Sequence, residues 1–593
     1  MKKHGSIIVL PFLIVFVISC CLTGCRKPTP GSSSADTVYD PVKDSLVNPP
    51  VVFEEPPKDL SKVDTNQTLY IQLDGNPNTL HPFFVSSLYE FTVVDVLYDG
   101  LFSFDKDMNW FVNEDMAESF EESDDHTTFT VKIKPGYKWH DGHPWTAHDV
   151  VFSWAQILDP QVPTLTQKPS TEPIKECVAL DDYTVKFVQP EPLATRKWNL
   201  LFPVIPKHIF EKDKKNHPDL KTGDYYLKQS RFPVGSGPYR ITEWKENDKI
   251  VVELWDDYKG KKPYFRRIVF KIIPDRNMSL LSFEKARIDV IRQLSAQQFA
   301  RETNTDSFKK VGYKLWGTEW SFSYIGWNMD GSNPFFQDKR VRYAMTHALN
   351  IPLIINKVYY NLPTKCLGVY HPESWMYNPE VKPLEYDLEK SKAYLDQAGW
   401  LVNAEDGWRY KQINGEKIRF EFTLLMSQGS ASAPKVAAIF QQDLKKIGVD
   451  LKTRTLEWSA FLEKVRKHEF QAETAAWGTG TDPDAGWNLW KTDQYEKGRN
   501  YGAYSNPRID ELFVLGRKEF DFEKRKNIYR EIHKILYEDQ PYTWTVNAPI
   551  LAAINNRISG VQFSPRGIFG FDPSFYAWWV PKTSSKAPVE IKP

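Results

Sequence analysis

The chain has 593 residues, 41% hydrophobic and 26% charged, the balance of a globular protein with roughly three or four domain-sized units. Lysine plus arginine equals aspartate plus glutamate at 76 each, so the formal net charge is zero. That excludes the cationic surface with which nucleic-acid binders displace counterions, and it leaves no strong electrostatic case for anionic lipid.

The first element is a targeting segment. Lys2 and Lys3 precede an almost wholly apolar run from Ile7 to Leu22, which fits a signal-peptide core and is short for a bilayer span. It ends in Leu22-Thr23-Gly24-Cys25, which resembles a bacterial lipobox. The resemblance implies a diacylglycerol on Cys25 and a mature N-terminus at that residue. We therefore expect a signal peptide over 1–24 and a protein anchored by lipid in the bacterial cell envelope, facing the periplasm or the exterior. Residues 25–63 carry the lipidated Cys and a polar stretch with Pro28, Pro30, Pro41, Pro49, Pro50, Pro56 and Pro57. Such a stretch reads as a disordered tether that buries no core. Cleavage leaves Cys177 and Cys366, and their spacing leaves open whether they pair. No Cys-x-x-Cys occurs, which excludes a zinc ribbon or a thioredoxin-like site.

Thr68–Leu73 alternates as a strand, and Leu88–Tyr98 reads as a helix closing at Asp99-Gly100. Phe129, Val131 and Ile133 alternate with Thr130, Lys132 and Lys134, the period of a half-buried strand. Pro135-Gly136 and Asp141-Gly142 mark turns. Thr146 to Asp149 reads as a helix start, with Thr146 as cap and Asp149 complementing the positive helix end. Val150, Val151, Trp154, Ile157 and Leu158 give that helix one apolar stripe. His140, Asp141, His143, His148 and Asp149 lie close together, but turn and cap chemistry explains both aspartates. The histidines also lack the i, i+4 spacing of a zinc-hydrolase helix, so no metal is expected. Residues 160–230 read as irregular and proline-rich.

Gly235-Ser236-Gly237 reads as a tight turn, since it lacks the Lys-Ser/Thr of a phosphate loop. Ile250–Leu254 and Ile268–Ile273 are strands. Further helices are capped by Asp338, by Asp387 and, last, by Asp521, and Pro434 sits in the first turn of a helix ending at Gly448. Strands alternating with helices indicate an α/β fold. The sequence holds no Gly-x-Ser-x-Gly and no His-Glu-x-x-His. Asp482-x-Asp484-x-Gly486 with Asp493 weakly follows a calcium loop, but Pro483 and the missing bidentate Glu oppose it. No catalytic residues and no cofactor are expected.

Ordered motifs over residues 66–580 resemble family 5 extracytoplasmic solute-binding proteins of ABC importers, which include oligopeptide-, dipeptide- and nickel-binding proteins. Lys134 to Val150 follows Lys-x-Gly-x-x-x-x-x-Gly-x-Pro-x-Thr-Ala-x-Asp-Val. Asn78-Thr79-Leu80-His81-Pro82, Tyr98-Asp99-Gly100-Leu101, Gly235 to Tyr239, Ile288-Asp289-Val290, Asn328, Asp338 to Ala344 and Leu444 to Val449 add to it. The resemblance implies a bilobal α/β fold of the periplasmic-binding-protein kind (class II) with an additional insert domain. It places a discontinuous lobe I at 64–86, 234–312 and 549–593, an insert at 87–233 and lobe II at 313–548, with hinges near 312 and 548. It implies a monomer that closes on an oligopeptide or related small solute and delivers it to an ABC permease and ATPase.

In peptide-binding relatives a Trp after a lobe II strand and a later Gly-Trp segment line the cleft. The matching residues are Trp458 and Trp477. An Asp soon after the second Trp pairs there with the peptide α-ammonium, but Gly478-Thr479-Gly480 intervenes in this chain. The ligand-binding candidates are therefore Trp458, Trp477, Asn328 and, displaced along the chain, Asp482 or Asp484. Two other readings remain open at this point: a lipoprotein of the same fold acting as sensor, adhesin or chaperone, and a secreted hydrolase, for which no catalytic constellation is found.

Overall fold

The structure, a computed structural model, describes residues 39–85, 87–164, 167–216, 230–480 and 482–582. The expected lipobox at Leu22 to Cys25 and the expected signal peptide lie outside them. Among the described residues no helix is long and apolar enough to cross a membrane.

Two large sheets organise the chain. A seven-stranded sheet runs Gly312–Gly317, Ile550–Asn555, Val290–Ile291, Thr68–Leu73, Arg267–Ile272, Lys249–Leu254, Tyr239–Lys245. Thr68–Leu73 lies in its middle and pairs in parallel with Arg267–Ile272, Thr68 opposite Arg267. A five-stranded sheet runs Asp450–Leu456, Glu421–Ser427, Ala472–Gly478, Ser321–Trp327, Tyr542–Trp544. Its side chains alternate between two cores. Ile325 and Trp327 join one with the helices Lys339–Ala348 and Ala433–Lys446. Phe322 and Tyr324 join the other with Pro507–Lys518 and Phe522–Asp539. The chain passes between the sheets at 318–320 and 548–549, so the first crossing lies a few residues beyond the expected 312.

A smaller sheet, Ala117–Glu122, Thr128–Ile133, Thr184–Val188, Glu176–Asp181, carries the helix Ala147–Leu158. Phe129, Val131 and Ile133 are buried in its core, as are Trp139 and Trp145. Asp149 Oδ2 accepts from Thr146 N (2.9 Å) and Oδ1 from Lys207 N (2.9 Å). One carboxylate therefore caps this helix and ties it to Lys207–Asn216. The expectation of an irregular 160–230 is corrected by this helix and by the Glu176–Asp181/Thr184–Val188 hairpin. The unbroken apolar run Val178-Ala179-Leu180, with Leu180 57% exposed, hides the first strand's alternation in the sequence.

Two further expectations change. The helix expected over Leu88–Tyr98 spans Leu88–Val94. Val96 and Leu97 leave it to pack with Val93 and Val94 into the core of the seven-stranded sheet. The tether expected over 25–63 is ordered from Tyr39 onward. Leu46 O accepts from Lys314 N (2.8 Å), and Asn48 N donates to Lys314 O (2.9 Å). Asn48 also brackets Trp316, accepting from its N–H at 3.0 Å and donating to its C=O at 2.6 Å. The segment thus covers the open edge of the strand Gly312–Gly317, whose unpaired backbone groups need partners. Cys177 and Cys366 are both buried and free, in separate cores.

The turn at 235–237 brings small domain and sheet together. A Cβ on Gly235 would lie 1.8 Å from Leu97 O, so only glycine fits. His140 staples the contact: Nδ1 accepts from Gly235 N at 3.1 Å and Nε2 lies 2.9 Å from Gly237 O. Burial lowers the His140 pKa to about 4, consistent with a neutral ring that donates from Nε2.

Candidate functional site

A cavity of about 500 Å³ opens beside the helix Leu88–Val94. Its walls come from that helix, the small domain, Arg292 and the C-terminal segment Arg566 to Ala577. Leu88 and Phe91, 58% and 37% exposed, turn apolar surface into it, and exposed large apolar groups in a concavity favour a ligand.

The walls carry both signs of charge. Asp95 is exposed on the cavity wall, and desolvation by the surrounding protein raises its pKa to about 6 against the opposing charges of Arg566 and Arg292. Its carboxylate makes no hydrogen bond among the described residues. Asp99 is raised to about 6, again by burial, against the lowering effect of the Tyr258 hydroxyl, which donates to it at 2.6 Å. Arg292 donates to Leu88 O (2.9 Å) and Thr92 Oγ1 (2.7 Å). Arg566 lies over the Phe104 ring at 5.6 Å. Desolvation lowers the pKa of both guanidiniums, and the charges of Asp95 and Glu319 oppose that shift. Glu319 belongs to the crossing at 318–320, so the link between the two sheets carries charge near Arg292 and Arg566.

The residues expected from sequence lie elsewhere, and none lines this cavity. Trp458 and Trp477 are brought together: both are half-buried and pack on one cluster of Leu425, Phe461, Val465, Phe470 and Tyr501. Trp458 opens the helix Trp458–Arg466 and stacks on Phe461 at 5.8 Å. Trp477 faces Tyr501 at 6.4 Å and the Arg499 guanidinium at 5.7 Å. The neighbouring Glu457 adds a small charge effect to the surroundings of Tyr89 on the helix Leu88–Val94.

Asn328 is fully buried, and its Nδ2 donates to His468 O (3.1 Å) and Phe470 O (3.0 Å). It buttresses the strand ahead of Trp477. Asp482 accepts from Arg525 at both oxygens, and Asp484 accepts from Arg517 Nε at 2.7 and 2.9 Å. Burial raises the Asp484 pKa, and Arg517 opposes the rise. Both carboxylates are already matched to guanidiniums. Sequence reading did not single out Asp95, Arg292 or Arg566. They are far apart along the chain, and the sole local signal was the short apolar helix that Asp95 ends.

The model of the bacterial extracellular solute-binding proteins, family 5 (middle region), matches residues 112–498. The oligopeptide-binding protein AppA of Bacillus subtilis is 31% identical over 538 residues, 88% of this chain and 94% of that protein. The dipeptide-binding protein of Escherichia coli is 26% identical over 526 residues, 85% of this chain and 94% of that protein. The solved structure of B. subtilis AppA in complex with a nonapeptide superposes with a TM-score of 0.76 at 29% identity, covering 87% of this chain and all of that one.

Proposed function

Because this chain belongs to the family 5 bacterial extracellular solute-binding proteins, we propose that it captures oligopeptides between two lobes and hands them to an ABC importer. The observation that carries this reading is the cavity with Asp95, Arg292 and Arg566 on its walls. A site with accessible charges of both signs beside exposed Leu88 and Phe91 suits a zwitterion with apolar side chains, which is what a peptide is. Trp458 and Trp477 supply flat aromatic surface on the facing lobe, where stacking tolerates varied side chains. Asp95 takes the place of Asp482 and Asp484 as the anchor for the peptide α-ammonium, since it lines the cavity, is more exposed than Asp572, and its carboxylate makes no hydrogen bond among the described residues.

Ligand contacts to both lobes favour the closed arrangement, with 318–320 and 548–549 as the hinge. The lobes follow the boundaries set out above, adjusted at the first crossing. The closed form docks on a permease whose ATPase subunits drive release. The chain acts as a monomer held at the membrane by lipid on Cys25, and it performs no catalysis itself.

Native mass spectrometry of the purified full chain tests the reading. A ladder of bound masses that fragment as peptides is expected. One defined non-peptide mass, bound in place of peptides, would overturn it.

A further inference from the structure

The fold gives the Asp141-Gly142 hairpin a partner that sequence spacing does not. His208, 67 residues later, lies with its Nε2 2.7 Å from Asp141 Oδ2. His143 Nδ1 lies 3.6 Å from Asp141 Oδ1. The His143 and His208 rings stack at 3.9 Å and 14°. One ligand atom from each of these three residues falls within 4.8 Å of the others. Bonds of about 2.0–2.1 Å to one tetrahedral ion set donors roughly 3.3 Å apart, so small side-chain rotations suffice.

Both supports are held by hydrogen bonds and packing. Gly142 takes φ +91°, and its N–H donates to Trp139 O at 2.8 Å. Trp139 N donates to His143 O at 2.8 Å, which closes the hairpin. The buried Trp139 and Trp145 anchor its two legs, and His140 ties it to Gly235 and Gly237. His208 sits in the helix Lys207–Asn216, fixed at its start by the bond from Lys207 N to Asp149 and by buried Phe210. The other His–Asp pair on this face, His148 with Asp182 at 3.2 Å, has no third ligand among the described residues.

We infer that Asp141, His143 and His208 form a surface site for a borderline divalent transition metal such as Zn²⁺. Two imidazole nitrogens and one carboxylate oxygen suit that class over Mg²⁺ or Ca²⁺, which take oxygen ligands. Three protein ligands leave a position for water. The site stands apart from the ligand cavity, and the ion cross-links the hairpin to the helix within the insert.

The test is calorimetric titration of the full chain, without an affinity tag, with Zn²⁺ and separately with Mg²⁺. One Zn²⁺ per chain is expected at this site, with no comparable Mg²⁺ binding. His143→Ala, His208→Ala and Asp141→Asn should each weaken Zn²⁺ by at least about tenfold, while His148→Ala changes it less than about twofold. All are exposed or half-buried positions, and circular dichroism confirms the fold of each variant. Equal Zn²⁺ affinity in wild type, His143→Ala and His208→Ala would overturn the assignment. So would equal losses from His148→Ala.

Discussion

Arg525 Nη1 donates to Asp482 Oδ2 and Nη2 to Asp482 Oδ1, both at 2.8 Å, with the two side chains almost wholly buried. This fork-to-fork geometry satisfies the carboxylate along both oxygens. An α-ammonium would have to displace a guanidinium to reach it. Asp482 lies a few residues after Trp477, and its bond to Arg525 holds Pro483–Gly486 against the helix Phe522–Asp539.

Asp482→Ala should therefore act on stability. Removing one partner of a buried pair strands the other charge and costs about 3–5 kcal/mol. Urea unfolding should show that loss, with ligand affinity of the surviving folded protein little changed. Unaltered stability with abolished peptide binding would instead make Asp482 the ammonium anchor.

The N-terminal segment should stabilise the seven-stranded sheet. Lys314, whose side chain is fully buried, pairs with Asp44, and its Nζ also donates to Phe299 O at 3.0 Å and Tyr39 OH at 3.1 Å. Burial lowers the Lys314 pKa, and Asp44 opposes that shift. Asp44→Ala should lower the unfolding free energy by about 3 kcal/mol. A variant starting at residue 64 should lose more, because it also uncovers the strand edge. Unchanged urea midpoints in both would show that the segment merely rests on the surface.

Stability should fall on both sides of neutrality through different groups. Burial lowers His140 and His533 to about 4. Between about pH 6.5 and 4 the unfolded chain binds protons that the native rings refuse, so stability drops as pH falls. Glu473 runs the other way. Burial beside Tyr324 raises it from 4.5 to about 8. From pH 4.5 to 8 the native state keeps a proton that the unfolded chain has released, so stability declines as pH rises, by about 1.4 kcal/mol per pH unit at most. Glu473→Gln should gain on the wild type steadily from pH 5 to pH 8 in urea titrations. Parallel curves would mean that Glu473 ionises normally.

Trp477→Ala should weaken peptide binding about tenfold, or about 1.4 kcal/mol, while near-native circular dichroism is retained. Aromatic anchors commonly dominate binding energy, and Trp477 is half-buried rather than central to its cluster. Arg566→Ala should weaken binding similarly without lowering the melting temperature, since the side chain faces the cavity and holds no structural hydrogen bond among the described residues. Full affinity in either variant would remove that residue from the site.

Local chemistry made much of the fold legible. Asp338, Asp387 and Asp521 cap the helices that the sequence assigns to them. The alternation of Phe129, Val131 and Ile133 is a half-buried strand, as its period requires. Each of these signals acts over a few residues. The site was less legible because its relationships are long-range. Tyr258 reaches Asp99 across 159 residues and Arg292 reaches Thr92 across 200, and no periodicity encodes such a meeting. Asn328 illustrates the converse: a polar residue within a motif whose amide proves to be committed to backbone carbonyls.

The central claim is that the cavity beside Asp95, Arg292 and Arg566 takes peptides by their charged ends. The most direct test is calorimetric titration of the ligand-stripped full chain with randomised peptides, free or N-acetylated, comparing wild type with Asp95→Asn. The account predicts saturable binding of one free peptide per chain, weakened about tenfold or more by acetylation or by Asp95→Asn, with the two losses not adding. Absence of saturable peptide binding to the folded wild type, or affinity indifferent to both changes, would contradict it.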